Sequence, residues 1–253
     1  MGRGEEELKN KSRSRGFKTS LLILIVLISV YLFLHSSIFN ITQINISGNE
    51  KVSREEVLAL AGISPGEKLF AVDKSIVAKS IGVHPLVKSC SIARRLPHTL
   101  AITLVERKVW AIIPYEESFL CIDNEGICID KLSNFTDYKY PIITLDQKPP
   151  RVNYGQAVEP EAIKMIGQVW QAMSESSRQN ISEFHYVNKD NSLILYTING
   201  TEIRFGNLER LAEKIDNLAQ VTKIESDLEK EGKDVLEYVD IRFKGQPVIK
   251  TKT

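Results

Sequence analysis

The chain is short of the residues that do chemistry. Its 253 residues include three cysteines, four histidines and two tryptophans. Cys90, Cys121 and Cys128 are too few, and odd in number, for a disulfide framework. His35, His84, His98 and His185 are scattered along the chain. A His-Glu-x-x-His zinc motif, a Gly-x-Ser-x-Gly elbow and a glycine-rich phosphate loop are all missing. Asp123, Glu125 and Asp130 lie close together, but a cation site needs more oxygen ligands at defined spacing, and acids in a turn are usually there for solubility. An excess of one charge is also lacking. Lys and Arg total 33 against 32 Asp and Glu, so nothing draws the chain to nucleic acid. Internal repeats and low-complexity segments are absent too. These gaps point away from an enzyme, a metal centre, a cofactor or a small-molecule substrate, and toward a protein that binds other proteins.

One further absence is local. No charged residue occurs between Lys18 and Glu50. Within that gap lie Leu21, Leu22, Ile23, Leu24, Ile25, Val26, Leu27, Ile28, Val30, Tyr31, Leu32, Phe33 and Leu34. About 20 apolar helical residues cross the roughly 30 Å hydrocarbon layer, so residues 19–39 are expected to form a single transmembrane helix. Tyr31 and Phe33 stand near its outer end, where aromatic rings suit the interface. Arg3, Lys9, Lys11, Arg13, Arg15 and Lys18 precede the run, and no Lys or Arg follows until Lys51. That asymmetry puts residues 1–18, a basic tail, in the cytoplasm and the bulk of the chain outside. A cleaved signal peptide would need a shorter core and a small-x-small site, and His35-Ser36-Ser37-Ile38-Phe39 makes a poor one.

Residues 40–108 read as strand, helix, helix, strand, strand. Residues 41–47 alternate, with Ile44 and Ile46 on one face. Ser53 and Glu56 form a capping box for a helix stopped by Gly62. Asp73 caps a second helix that ends at Gly82. Residues 87–94 alternate, with Val87, Ser89, Ser91 and Ala93 on one side. Leu100, Ile102 and Leu104 mark the next strand. Lys51, Arg54 and Glu55 read as a solvated face.

Residues 109–250 are richer in strands. A meander is expected over 110–113, 119–123 and 127–130, and Ile142-Ile143 is a short apolar segment among prolines. Cys121 and Cys128 flank a hairpin turn; a cross-strand disulfide and two half-buried thiols both fit it. Pro160 starts an amphipathic helix with the stripe Ile163, Ile166, Trp170 and Met173. Strands at 183–187, 192–197 and 201–205 follow, the last two joined by Asn199-Gly200. A second amphipathic helix over 208–228 carries Leu211, Ile215 and Leu218. Two final strands, 238–243 and 247–249, are joined by Lys244-Gly245-Gln246, and 251–253 form a short tail. The fold class is α+β.

Several of these residues also carry a resemblance. Gly48-Asn49, Gly62-Ile63, Pro65-Gly66, Pro85-x-Val87, Arg94, Pro97, Thr99-Leu100, Ile102 and Glu106-Arg107 follow one another as in a POTRA domain, the βααββ unit of polypeptide-transport-associated proteins. With the hairpin Ile122-Asp123-x-x-Gly126 and the late Val239-Asp240-Ile241-Arg242-Phe243, the chain resembles the FtsQ/DivIB family of bacterial cell-division proteins. It departs at Val109, where the family often has Pro, and at Leu96, where an aromatic is common. The resemblance implies a non-catalytic scaffold of the division complex at the septum, in the cytoplasmic (inner) membrane. It implies partners of the FtsL and FtsB/DivIC type, and other division proteins recruited through the POTRA domain.

The residues themselves suggest where a partner would dock. A terminal strand often forms a sheet edge, and Pro is tolerated there. An exposed edge accepts a partner strand through backbone bonds. Arg242, Phe243, Lys244, Gly245, Gln246, Pro247, Val248 and Ile249 are therefore the candidate partner-binding residues. Completion of the core is the competing role for them. A POTRA-bearing export or outer-membrane assembly factor is the alternative function, although a following β-barrel would need long alternating strands in place of two amphipathic helices. Sequons such as Asn134-Phe-Thr136 and Asn180-Ile-Ser182 would also suit a surface glycoprotein.

Overall fold

A computed structural model describes residues 3–134, 140–149, 151–230 and 236–251, with side chains from residue 19 onward except at 226, 229 and 230. The chain divides into two compact units, 1–106 and 107–253. The boundary expected at 108 falls after Glu106 because Arg107 belongs to the second unit through its bonds to Asp123 and Glu125.

The first unit opens with helix α1 (Arg3–Leu34). Among the described residues no helix is long and apolar enough to cross a membrane. The large apolar side chains between Leu21 and Leu34 are all exposed, on every side of the helix. The helix stops at Leu34, short of the expected 39. A 3-10 turn (Ser37–Phe39) follows, and Phe39 is buried at 7% exposure. Phe39 therefore belongs to the core of the folded unit. Its ring packs edge-on against Phe33 and Phe70.

Strand β1 (Gln43–Ser47), helices α2 (Arg54–Ala61) and α3 (Lys74–Ile81), and strands β2 (Val87–Arg95) and β3 (Thr99–Glu106) complete the expected βααββ order. The sheet order is β1-β3-β2, with β1 parallel to β3 and β2 antiparallel to it. The local signals work as expected. Ser53 Oγ accepts the Glu56 N–H at 3.2 Å, and Glu56 accepts the Ser53 N–H at 2.9 Å. Asp73 accepts from Ser75 and Ile76. Gly48 has φ +80, and a Cβ there would sit 2.0 Å from the Leu104 carbonyl oxygen, so only glycine fits. Val87 departs from the expected face. A bulge between Val87 and Ser89 turns it into the core, at 4% exposure.

Two residues of the family-like pattern hold this unit together. Arg94 donates to the carbonyls of Leu69 (2.9 Å) and Val72 (2.8 Å), fixing the turn before α3. Glu106 accepts the N–H groups of Glu50, Lys51 and Val52 at 2.8–3.0 Å. Burial pushes its carboxyl up, but these three amides outweigh it and hold Glu106 below its ordinary value. Arg54, expected on a solvated face, donates to the Ile44 carbonyl at 2.6 Å.

The second unit is one nine-stranded sheet with helices on it. The strands are β4 (Ala111–Tyr115), β5 (Ser118–Ile122), β6 (Cys128–Leu132), β7 (Ile142–Leu145), β8 (Ile181–Val187), β9 (Ser192–Thr197), β10 (Glu202–Gly206), β11 (Leu236–Asp240) and β12 (Val248–Thr251). Their order is β12-β11-β10-β9-β8-β7-β4-β5-β6. The meander and hairpins are as expected. Three parallel pairings are additional: β4 with β7, β7 with β8, and β10 with β11. Parallel neighbours need a crossover; the β5–β6 hairpin supplies the first and helices the other two. Helices α4 (Pro160–Ala172) and α5 (Glu175–Gln179) connect β7 to β8, and α6 (Leu211–Lys230) connects β10 to β11. The core gathers Ile163, Ile166 and Val169 of α4 with Phe184, Leu195, Phe205 and Val239 of the sheet.

The expected α6 stripe of Leu211, Ile215 and Leu218 packs on the core, but the buried face is wider than that stripe. Its most buried side chains are Lys214, Leu218, Val221 and Glu225. Lys214 Nζ donates to the Asn207 carbonyl at 2.8 Å and lies over the Phe205 ring. Glu225 accepts from Asn180 (3.2 Å), Thr197 (2.8 Å) and Thr201. Both charged groups are satisfied, which makes their burial tolerable. A hydrophobicity pattern counts Lys and Glu as surface and so misses these two members of the face. The Cys121–Cys128 disulfide is not formed. Cys121 opposes Asp130 and Cys128 opposes Ile122, so adjacent alternation puts the two sulfurs on opposite faces of the sheet.

Candidate partner-binding edge

The expected docking residues, 242–249, lie at one end of the nine-stranded sheet, but in two different states. Val248 and Ile249 are in β12, the edge strand, which continues through Lys250 and Thr251. The expected tail from 251 and the expected strand to 243 are both corrected. β11 ends at Asp240, and 242–247 is an irregular connection. The register is Val248 opposite Asp240, Ile249 opposite Val239 and Lys250 opposite Tyr238.

Asp240 ends β11 because its carboxylate turns back on the chain. It accepts the Arg242 backbone N–H at 3.1 Å, and the Arg242 guanidinium grips it through Nε at 3.0 Å and Nη2 at 2.6 Å. This hydrogen bonding outweighs burial and holds Asp240 below its ordinary value. The connection is tied on its other side to the start of α6. Arg210 donates to the Arg242 carbonyl at 2.6 Å, and Glu213 accepts the Gly245 N–H at 3.0 Å. Gly206 leaves room for Arg242: a Cβ there would meet Arg242 Cγ at 3.0 Å.

The result is a fixed edge carrying exposed apolar groups. Phe243 is 66% exposed, Val248 55% and Ile249 43%. The Arg242 guanidinium lies over the Phe243 ring at 5.4 Å. All four residues of β12 are exposed, and among the described residues no strand pairs with its outer side. The adjoining sheet face is aromatic and charged. Tyr238 lies between the Arg204 guanidinium, at 4.0 Å, and Lys250. Lys250 also pairs with Glu237 at 2.8 Å. Lys250, Thr251, Tyr238 and Arg204 were not among the expected site residues. The continued alternation Val248, Lys250 was the available sign of the longer strand, and Asp-x-Arg at 240 and 242 the sign of its anchor.

The residues checked for chemistry stay apart. His35 bonds the Tyr31 carbonyl, His84 the Leu86 N–H, His98 Thr42 and His185 Thr144. Asp123 is 1% exposed, pairs with Arg107 and accepts the N–H groups of Glu125 and Ile127, both at 2.9 Å. It is a structural residue of the hairpin. Among the described residues no His, Cys, Asp and Glu side chains gather into a metal-holding group.

Known proteins agree with this architecture. Residues 39–107 match the family model for the FtsQ-type POTRA domain, and residues 111–242 match that for the C-terminal region of cell division protein FtsQ/DivIB. The second match ends at Arg242, so β12 lies beyond it. Cell division protein FtsQ of Geobacter sp. (strain M21) is 27% identical over 219 residues, covering 85% of this chain and 77% of that protein. Cell division protein DivIB of Clostridium botulinum (strain Hall) is 25% identical over 260 residues, covering 96% and 95%. DivIB of Bacillus subtilis (strain 168) is 24% identical over 213 residues, covering 83% and 76%. The two family matches follow each other along the chain and take in both folded units, and on them the chain belongs to the FtsQ/DivIB family of cell-division proteins.

Proposed function

We propose that the chain is a non-catalytic, membrane-anchored scaffold of the division complex, whose edge strand β12 receives a strand from a partner of the FtsL or FtsB/DivIC type. The observation that carries the docking reading is the exposed outer side of β12, flanked by exposed Phe243, Val248 and Ile249. Such an edge offers backbone donors and acceptors for strand addition, with the apolar side chains setting specificity. Partner burial would also remove the aggregation hazard of an open edge.

The anchor is the apolar stretch of α1. Its side chains are exposed on all sides, as expected of a helix solvated by lipid rather than packed on a protein core. The cations before it orient residues 1–18 toward the cytoplasm and both folded units outward, at the septum. The POTRA unit is the second surface for other division proteins.

Phe243→Ala and Val248→Asp test the edge: each should weaken capture of the purified partner while leaving the thermal unfolding midpoint near that of the parent. Intact capture by both folded variants would sink the docking reading. A fluorescently tagged copy should form a midcell band in the source bacterium, with filaments on depletion. Uniform membrane signal with normal cell length would sink the scaffold reading.

A further inference from the structure

The two sheet ends of the POTRA unit differ in a way that concerns the membrane. β1 begins four residues after the buried Phe39, and its Gln43 pairs with Thr99, which pairs with Arg95. The starts of β1 and β3 and the end of β2 therefore share one pole, next to the end of α1. The Leu96–Pro97 tip of the β2–β3 connection lies there. So does the 67–71 turn, because the Leu69 N–H bonds the Phe39 carbonyl at 2.9 Å and Lys68 Nζ bonds the His35 carbonyl at 3.0 Å.

This pole exposes large apolar side chains beside cations. Leu96 is 64% exposed, Ile38 57% and Phe70 39%. Lys68 and Arg95 are exposed next to them. Glu67 is in the same turn, and its carboxylate accepts the Ser64 N–H at 2.8 Å. The pole is rigid. Phe33, Phe39 and Phe70 form an edge-to-face series joining the helix to the turn, and Arg94 clamps the turn from β2.

The length of the helix gives the pole a purpose. The charge-free helical residues 19–34 rise only about 24 Å at ~1.5 Å per residue. A hydrocarbon layer is about 30 Å thick, and a short span is met by thinning the bilayer or by apolar and basic residues flanking it.

We propose that this pole is a lipid-binding seat: Ile38, Phe70 and Leu96 enter the outer membrane interface, and Lys68 and Arg95 meet anionic headgroups. The seat extends the apolar surface of the short helix and holds the POTRA unit against the bilayer. It rests on the anchor reading, and the test separates the two.

The full chain is reconstituted in vesicles of phosphatidylcholine and phosphatidylglycerol that contain acyl-brominated lipid, which quenches tryptophan by contact. The parent, with Trp110 and Trp170, sets the baseline. L27W reports the anchor, F70W and L96W the seat, and V83W the opposite pole, where Val83 is 76% exposed ahead of β2. The expected result is loss and blue shift of the added emission in L27W, F70W and L96W, with V83W unquenched. Quenching of L27W alone overturns the seat and keeps the anchor. An unquenched L27W overturns the anchor and the seat with it. In the L96W background, the K68E/R95E pair should reduce quenching in phosphatidylglycerol vesicles more than in pure phosphatidylcholine. An equal response in both overturns the headgroup contact.

Discussion

The nine-stranded sheet has two edges, β6 and β12, and the described residues cover only one of them. Segment 152–158 runs along β6. Cys128 donates to the Gln156 carbonyl at 2.8 Å, Gly155 donates back to Cys128 at 2.8 Å, and Ile127 bridges Ala157. Lys131 Nζ reaches over β6 to the Val152 carbonyl at 2.6 Å. At the other end β12 carries no such strap among the described residues. At the β6 end Ile122, Cys128 and Val158 are buried, whereas every residue of β12 is exposed. Natural sheets cover, twist or charge their edges. The two treatments fit the proposal of two uses, one edge for stability and the other for a partner.

Substitutions should separate these uses, and the largest effect is expected at the covered end. Asp123→Ala leaves Arg107 and two hairpin amides without their buried acceptor. It should cost about 3–5 kcal/mol in urea unfolding, as for other broken buried ion pairs. An unchanged midpoint would mean that the β6 end is not a stability element.

At the open end the balance should reverse. Phe243→Ala is expected to reduce partner affinity by about 2 kcal/mol, roughly thirtyfold, as for an aromatic anchor. Unfolding should shift by no more than about 0.5 kcal/mol, since the ring is exposed. Titration calorimetry beside a denaturation curve reads both. A stability loss exceeding the affinity loss would assign Phe243 to the core.

Asp240 links the edge to pH. Its folded carboxyl lies below the ordinary value, so the unfolded chain takes up the proton first as pH falls. The stability it contributes is present above the unfolded value of about 3.9 and is lost as pH falls through the lowered folded value. Asp240→Asn should cost about 1 kcal/mol at neutral pH, typical of a lost hydrogen-bonding partner. It should also flatten the acid limb of the stability curve. A parallel downward shift of that limb would place the acid sensitivity elsewhere, with Glu106 next in line because three amides depress it.

Two smaller tests sharpen the contrast. Lys131→Met removes one strap bond and should cost up to about 1 kcal/mol, with faster hydrogen exchange at β6. Lys250→Ala breaks an exposed pair with Glu237 on β12 and should leave the unfolding midpoint unchanged.

Much of this was legible in the sequence, and its local rules explain which parts. The Ser53–Glu56 box, the Asp73 cap and the Asn199-Gly200 turn are decided by residues within a few positions of each other. The alternation of Leu100, Ile102 and Leu104 set a buried face without reference to any neighbour. The candidate docking edge was legible only in outline. Val248 and Ile249 lie in the last strand, as expected, but that strand starts and ends later and Phe243 sits in the connection, because Asp240 folds back on Arg242 while Arg210 and Glu213 hold the connection from α6. Those partners are about thirty residues away in sequence.

By itself the sequence determined the apolar helix with its one-sided charge, the βααββ order and the strand-rich second unit. These follow from composition, period and short-range capping, which act along the chain. Only the tertiary structure decided that Phe39 leaves the apolar run for the core, that α6 buries Lys214 and Glu225, that Cys121 and Cys128 face apart, and which edge stays open. Each of those depends on groups brought together from distant positions, where the need to satisfy a buried polar group or fill a core overrides the local pattern.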